Sequence, residues 1–358
     1  MNSDVFKQKL AEYKTLVDAD IQDYSATLIA QTEKTYGESS ALIARTFTDI
    51  LSRGGKRVRG TLTMVGFSMV GGTDSKVAIT GARVVEMMHA YMLLIDDIQD
   101  RSDTRRGGPS GHKLLEAQHT EHNWSGDAAH TGVSLAINAA LLGSHSAQTT
   151  LGTMPIASDR RIEALNILNH TIATTVHGQT HDIINEVSSV VTEQDINNTM
   201  QWKTAHYTFL NPLQMGMVLA GAAKDDTEAI VAYAMNAGKT FQISDDLLIM
   251  STESGKDAID DIREGKQTLL TFYALEHASN EDKVFLRGCL GNRSVDEAQF
   301  KRCQQIFIDS GAVTYAQGRA QAYVEAAKNG LTQNGRQWRV QDVAFLEKLV
   351  DYLLSRTV

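Results

Sequence analysis

The sequence predicts an all-α fold, and three observations carry that reading. Only three prolines, Pro109, Pro155 and Pro212, occur in 358 residues. Residues 1–108 and 213–358 therefore lack the main helix breaker. Apolar residues recur at helical spacing along most of the chain. Twice, an apolar helix pattern runs without a break into paired aspartates. Hydrophobic residues make up 42% of the chain, ample for a core, and no internal repeat or low-complexity tract divides it. A single domain over residues 1–358 is expected.

Composition narrows the partners. A formal net charge of −9 argues against a nucleic-acid partner, which would want a basic face. The basic residues of interest stand singly beside acidic motifs, which suits a small anionic ligand. Cys289 and Cys303 are too few for a disulfide framework or a zinc site and fit a reducing, cytoplasmic setting. The first residues show no apolar signal-peptide core. No run of about 18 apolar residues is evident, so no membrane span is expected.

The elements follow in order. Phe6, Leu10, Tyr13 and Val17 form one helical stripe, and Ala41, Ile43, Ala44, Phe47 and Leu51 form a second. Gly54-Gly55 ends that helix, and Lys56, Arg57 and Arg59 open the next, over residues 61–70. Fixed cations beside the free N–H groups of a helix start make an anion cradle. Residues 84–92 read as a buried helix that continues into Leu93-Leu94-Ile95-Asp96-Asp97-Ile98-Gln99-Asp100. Gly107 to Gly111 reads as a loop. Residues 116–130 hold several histidines whose spacing fits no standard metal site, and read as a polar connection. Helices are expected over 131–147, 161–185 and 229–250, with Pro212 kinking the helix between the last two. Residues 271–358 read as outer helices without chemical signal.

The acidic motifs carry the chemistry. At i, i+4 spacing, Met88, Met92, Asp96 and Asp100 share one stripe, so a greasy face turns acidic within a turn. Carboxylates at a helix C-terminus oppose the helix dipole and repel one another, which makes sense if cations sit there. Such an oxygen set suits Mg²⁺, which keeps waters and often binds through substrate phosphates. A solvated helix end is the bland alternative for one motif. The second copy, Phe241-Gln242-Ile243-Ser244-Asp245-Asp246, with Lys256, Asp261, Lys266 and Thr268 after it, argues for a polyanion bridged by metals.

In ordered series these motifs resemble the trans-type isoprenyl diphosphate synthases, which make farnesyl and geranylgeranyl diphosphate. The series is Gly54-Gly55-Lys56-Arg57-Val58-Arg59, the first Asp-Asp-x-x-Asp, Arg105-Arg106-Gly107, Gly178-Gln179 with Asp182, Lys203-Thr204, the second Asp-Asp, Gly255-Lys256, and Glu264-Gly265-Lys266 with Thr268. The resemblance implies a helical bundle around a central cavity, the isoprenoid synthase type, with antiparallel helices and the two aspartate motifs facing across its mouth. It also implies a homodimer. Asp96, Asp97, Asp100, Asp245 and Asp246 would hold Mg²⁺, three ions with the diphosphate. Arg105, Lys203, Lys256 and Lys266, with Thr204, Gln179 and Gln242, would face the allylic diphosphate. Gly55, Lys56, Arg59, His89 and Arg106 would hold isopentenyl diphosphate. The catalytic set would be Asp96, Asp97, Arg105, Lys203, Thr204 and Asp245. The sequence departs from the family pattern where Gly60 replaces a proline, Ile95 a histidine, Asn138-Ala139 a Gly-Asp pair, and Ile249 the third aspartate of the second motif. Asp260 is a candidate to compensate for Ile249.

Residue types suggest the reaction. Departure of a diphosphate anion needs neutralisation in a dry site, supplied by Mg²⁺ and fixed cations. The allylic cation is then attacked by the double bond of isopentenyl diphosphate, held close by the second cationic set. Product length should be set under the allylic tail. Tyr91 lies roughly 7.5 Å of helix rise before Asp96 and Met88 about 12 Å before it, with Met92 nearer. The resemblance implies a C15–C20 product, geranylgeranyl favoured over farnesyl. A terpene cyclase, a weakly active partner subunit of a prenyl synthase and a purely structural bundle are the rivals.

Overall fold

The computed structural model describes residues 1–250, 255–333 and 335–355, the side chains of 255–258 excepted. In chain order the helices are α1 (Ser3–Tyr36), α2 (Glu38–Ser52), α3 (Val58–Met69) and α4 (Ser75–Gln99). A two-stranded hairpin, β1 (Thr104–Arg105) and β2 (Gly108–Pro109), precedes α5 (Gly111–Glu121), α6 (Ala128–Gly152), α7 (Ser158–Val187) and α8 (Glu193–Thr199). A π-helix (Met200–Leu210) leads into α9 (Asn211–Ala220), α10 (Lys224–Ala229) and α11 (Val231–Leu247). After a 3₁₀ turn (Leu248–Met250) come α12 (Gly255–Glu264), α13 (Leu269–His277), α14 (Asn280–Cys289), α15 (Glu297–Asp309), α16 (Ala312–Thr332) and α17 (Val340–Leu354). The all-α expectation holds: the hairpin is the one strand pair among the described residues.

The chain forms two compact units. One comprises Asn2–Asn166 and Pro212–Ala222. Its centre is α4, which packs against α1, α2, α3, α5 and α6. Phe47, Leu62, Val65, Met87 and Leu94 are fully buried there. Asp74 starts α4 by accepting hydrogen bonds from the Lys76 and Val77 N–H groups. By length and composition alone α4 could cross a membrane, but 61% of its apolar window is buried within the protein. That burial makes it a core helix.

The other unit comprises Met1, Ile167–Asn211 and Ala223–Val358. Here α11 packs on the π-helix, α16 and α17. Its core gathers Ile243, Leu247, Ile249, Ile262, Leu269 and Phe307. The buried Tyr233 hydroxyl donates to the Leu346 carbonyl at 3.0 Å.

Three local expectations need correction. Gly107–Gly111 is not an open loop. Thr104 pairs with Pro109 and Arg105 with Gly108, and α5 already begins at Gly111. Arg106 and Gly107, with φ of 51° and 76°, form the two-residue turn. Both central residues of a tight hairpin turn need positive φ, which glycine supplies without penalty. Residues 116–121 are helical, and only 122–127 connect to α6. His119 and His122 sit around the Trp124 ring rather than around a metal. Finally, the kink expected from Pro212 is instead a change of winding: eleven residues of π-helix end at Leu210, and α-geometry resumes around a proline that lacks a donor N–H.

Candidate active site

In the α4 unit, the first aspartate motif divides its work. Asp96 and Asp100 stay half-buried, whereas Asp97 is buried. Arg105, the last residue of β1, clamps Asp97. Its Nε donates to Asp97 Oδ1 at 2.7 Å, and its Nη2 also pairs with that oxygen. Nη2 lies 3.9 Å from Asp96. Burial raises the Asp97 carboxyl above its ordinary range, Arg105 opposes this, and the charges of Asp96 and Asp100 add to the rise. Asp97 Oδ2 is buried without a hydrogen-bond partner among the described residues.

The cationic cradle lies in the same unit. Arg57 caps the start of α3 in a left-handed conformation, φ 49°, an uncommon choice for a bulky residue. Its side chain is buried and fully engaged. Nε donates to Asp18 at 2.7 Å, Nη1 to Glu86 at 3.1 Å, and Nη2 to the Leu51 carbonyl at 2.8 Å. The other Glu86 oxygen accepts from the Gly60 N–H at 2.9 Å, satisfying one of the free donors of the α3 N-terminus. Arg57 is thus a strut, while Lys56 is exposed and Arg59 half-buried.

Arg59 and Arg106 converge on His89, at 3.4 and 2.8 Å from its Nε2. Burial, then the charges of Arg59, Arg106, Arg105 and Arg57, push the His89 imidazole well below its ordinary value. The hairpin is held by Arg53, whose Nη1 donates to the carbonyls of Arg105 (3.1 Å) and Pro109 (2.6 Å). Arg106 reaches back, donating to the Arg53 carbonyl at 2.9 Å. Gly55 stands against the Arg106 guanidinium, 3.4 Å from where a Cβ would be.

In the α11 unit, a cavity of about 210 Å³ is lined by Asp182, Lys203, Thr204, Gln242, Asp245 and Asp246, together with Asp261 and Lys266. Gly178 makes this possible: a Cβ there would lie 2.3 Å from the Lys203 nitrogen. The glycine lets α7 approach the π-helix and sets Asp182 beside Lys203. Lys203 Nζ donates to Asp182 at 2.6 Å, and Lys266 Nζ reaches Asp182 at 3.4 Å and Glu186 at 2.6 Å. Burial would raise the Asp182 carboxyl, but the two lysines win and hold it below its ordinary value. Gln179, one turn before Asp182, is buried but is not among the cavity-lining residues.

A hydrogen-bond chain orders the second motif. Thr204 Oγ1 donates to Gln242 Oε1 at 2.6 Å, and Gln242 Nε2 donates to Asp246 Oδ1 at 2.8 Å. Asp246 is pushed up to about 8, first by burial and then by the charges of Asp261, Asp245 and Asp182, with the Gln242 bond opposing. Ile249 turns into the core, and its carbonyl accepts from Gln304 at 2.6 Å. Asp260 pairs with Arg263 at 3.2 Å and is not among the residues lining the cavity, where Asp261 stands. The Lys256 side chain lies outside the described residues.

Both motifs fit a hard divalent cation. Each gathers carboxylate oxygens at a cost that a cation would relieve: a buried Asp97 oxygen without a partner among the described residues, and a crowded Asp246 whose carboxyl is pushed up to about 8. Among the described residues no three side chains form a ready-made metal cage. Mg²⁺ completes its shell with water and substrate phosphate. Tyr91 and Met88 are buried in α4, and Met92 is half-buried.

Sequence reasoning missed Arg53, Glu86, Asp18 and Glu186. Glu86 carried a signal, being the one charge in the apolar run from Val84 to Met88. Glu186 stood one turn beyond Asp182. Arg53 and Asp18 had none, because the groups they hold at the site, the hairpin carbonyls and Arg57, are distant in sequence.

A family model described as polyprenyl synthetase matches residues 40–307. A geranylfarnesyl diphosphate synthase from Aeropyrum pernix is 30% identical over 314 residues, covering 86% of this chain and 92% of that protein. A geranylgeranyl diphosphate synthase from Sulfolobus acidocaldarius is 29% identical, covering 79% and 82%. Among solved structures, a geranylgeranyl pyrophosphate synthase from Corynebacterium glutamicum, complexed with isoprenyl diphosphate and magnesium, superposes with a TM-score of 0.89. It is 26% identical and covers 97% of this chain and 99% of its own.

Proposed function

Since this chain belongs to the polyprenyl synthetase family, the trans-isoprenyl diphosphate synthases with their all-α fold, we propose that it acts as one isoprenyl diphosphate synthase domain. It is a short-chain prenyltransferase that joins isopentenyl diphosphate to an allylic diphosphate and uses Mg²⁺. The observation that carries the residue assignment is the pairing of Lys203 with a cavity lined by Asp245 and Asp246.

Asp96, Asp97 and Asp100, and likewise Asp245 and Asp246, would hold Mg²⁺, three ions in all. Bound Mg²⁺ supplies Lewis-acid neutralisation of the leaving diphosphate. Arg105 orients Asp97, and Lys203 and Lys266, with Lys256, place fixed positive charge where negative charge develops. Thr204 and Gln242 hold Asp246 in place. Arg59 and Arg106, which meet at His89, seat isopentenyl diphosphate together with Lys56 and Gly55. Orientation of its double bond lowers the entropic cost of attack. A terpene cyclase would need no second diphosphate seat.

Geranylgeranyl diphosphate is the product we favour, with Tyr91, Met88 and Met92 as the floor under the growing chain. A homodimer fits the exposed Ile137 and Leu141 on α6 and Val176 and Ile184 on α7, and a cytoplasmic location fits the two free thiols. The test is a product assay with isopentenyl diphosphate, Mg²⁺ and dimethylallyl, geranyl or farnesyl diphosphate in turn. A C20 product is expected, with Tyr91→Ala lengthening it. No condensation from any starter would point to a partner subunit, and a cyclic hydrocarbon formed without isopentenyl diphosphate to a cyclase.

A further inference from the structure

Two histidines on α7 stand apart from the rest. Of the eleven in the chain, His177 and His181 are the one pair at i, i+4 spacing. On a helix that spacing puts both side chains on one face, with Cβ atoms about 5–6 Å apart. Both lie well inside α7, so the spacing is realised. His177 is exposed and His181 half-buried. Neither ring makes a hydrogen bond or ion pair among the described residues. His119 and His122 offer a contrast. Their ring nitrogens already meet backbone carbonyls, those of Ser125 at 3.3 Å and Gln118 at 2.9 Å.

The fold gives the α7 pair a pocket. A cavity of about 320 Å³ is lined by Thr174, His177, His181 and Trp202. Gly178, next to His177, lets the π-helix press on α7: a Cβ there would lie 2.6 Å from the Trp202 carbonyl carbon. That close approach sets the Trp202 ring against His181, with centroids 4.9 Å apart and planes at 76°. Packing of this kind orients one imidazole, and Thr174 adds a hydroxyl a turn before His177. Asp195 lies within electrostatic reach: its carboxyl is held below the ordinary value first by bonds from Thr192 and also by the charge of His181. A nearby acid favours a cation over an anion in the pocket.

We propose that His177 and His181 chelate one transition-metal ion of the zinc and copper class in the pocket walled by Thr174 and Trp202. Two helix histidines four apart are a recurring way of holding such ions. Imidazole suits Zn²⁺, Cu²⁺ and Ni²⁺, whereas carboxylate and water suit Mg²⁺. The chain thus sorts two kinds of metal by donor, oxygen at the aspartate motifs and nitrogen on α7. Among the described residues no third carboxylate, thiol or imidazole completes a cage. Water fills the remaining positions, and the ion is exchangeable rather than structural.

The probe is Cu²⁺, added to untagged full-length protein in excess Mg²⁺ and followed by electron paramagnetic resonance. One tightly held Cu²⁺ per chain is expected, with nitrogen couplings from two imidazoles. Zn²⁺ should displace it, whereas more Mg²⁺ should not. The second contact of a chelated ion is intramolecular, so losing either histidine should weaken binding about tenfold or more. His177→Ala removes an exposed ring, and His181→Phe keeps a ring against Trp202 while removing its nitrogens. Circular dichroism checks that both variants fold. His170→Ala, earlier on the same helix, should leave the affinity unchanged. Three results would overturn the proposal: no tight Cu²⁺ in the wild type, a signal with fewer than two imidazole nitrogens, or binding untouched by His177→Ala and His181→Phe. The last would put the ion on the carboxylates or on another histidine.

Discussion

Ile249 shows how a single residue decides between metal ligand and core. It occupies the place where the family's second motif ends in aspartate, yet it packs among Ile243, Leu247 and Ile262. Restoring the acid should not restore a ligand. Ile249→Asp buries a carboxylate among apolar side chains, at a cost of about 3 kcal/mol or more. The expected outcome is a lower urea midpoint and no tighter Mg²⁺ dependence. A variant of unchanged stability with tighter Mg²⁺ dependence would show that the position faces the cavity. Asp261 already supplies a third carboxylate there. At this scale the sequence was readable where chemistry is dense and local. The paired aspartates, Lys203 and Arg105 are visible as residue types at fixed spacing. The pairing of Lys266 with Glu186, 80 positions away, is not, because only folding brings the two together.

Helices were legible because an amphipathic stripe is a local property of the chain. The hairpin and the π-helix were not. Strands of two residues are too short to alternate, and π-winding uses the same residue types as α-winding. What fixes the start of α3 was equally hidden, since Glu86 acts from another helix. Its two oxygens hold Arg57 and the Gly60 N–H. Removing it leaves a buried guanidinium short of a counter-charge and a helix N-terminus short of an acceptor. Breaking such a buried pair costs about 3–5 kcal/mol. Glu86→Ala should therefore unfold at markedly lower denaturant. Lys56 and Arg59 flank the strut, so affinity for isopentenyl diphosphate should fall as well, under conditions where the protein is still folded. Circular dichroism and calorimetry separate the two effects. A fully stable variant with normal affinity would mean that Asp18 and the Leu51 carbonyl suffice to hold Arg57.

Across the whole molecule, the buried ionisable groups set a pH dependence whose sign can be worked out. Asp246 is neutral in the fold up to about pH 8, whereas an ordinary aspartate ionises near 3.8. Between these values the folded state holds one more proton than the unfolded chain, so stability falls as pH rises. His89 acts in the opposite sense. Its folded value lies well below the ordinary 6.5, so the unfolded chain binds the extra proton and stability falls as pH drops below that value. Below about pH 6.5 the two slopes oppose each other, and from about pH 7 to 8 the contribution of His89 is spent while that of Asp246 continues. Metal-free protein should therefore lose melting temperature across that interval. A divalent cation needs the ionised carboxylate, so its binding should release protons and its apparent affinity should rise about tenfold per pH unit up to about 8, then level off. Melting curves from pH 6.5 to 8.5, with and without Mg²⁺ and diphosphate, check both halves. The expected result is a declining curve without metal and a flatter one with it. A metal-free curve that stays level through pH 8, with no proton release on Mg²⁺ addition, would mean that Asp246 is already ionised and that the crowding of Asp182, Asp245 and Asp261 is relieved by other means.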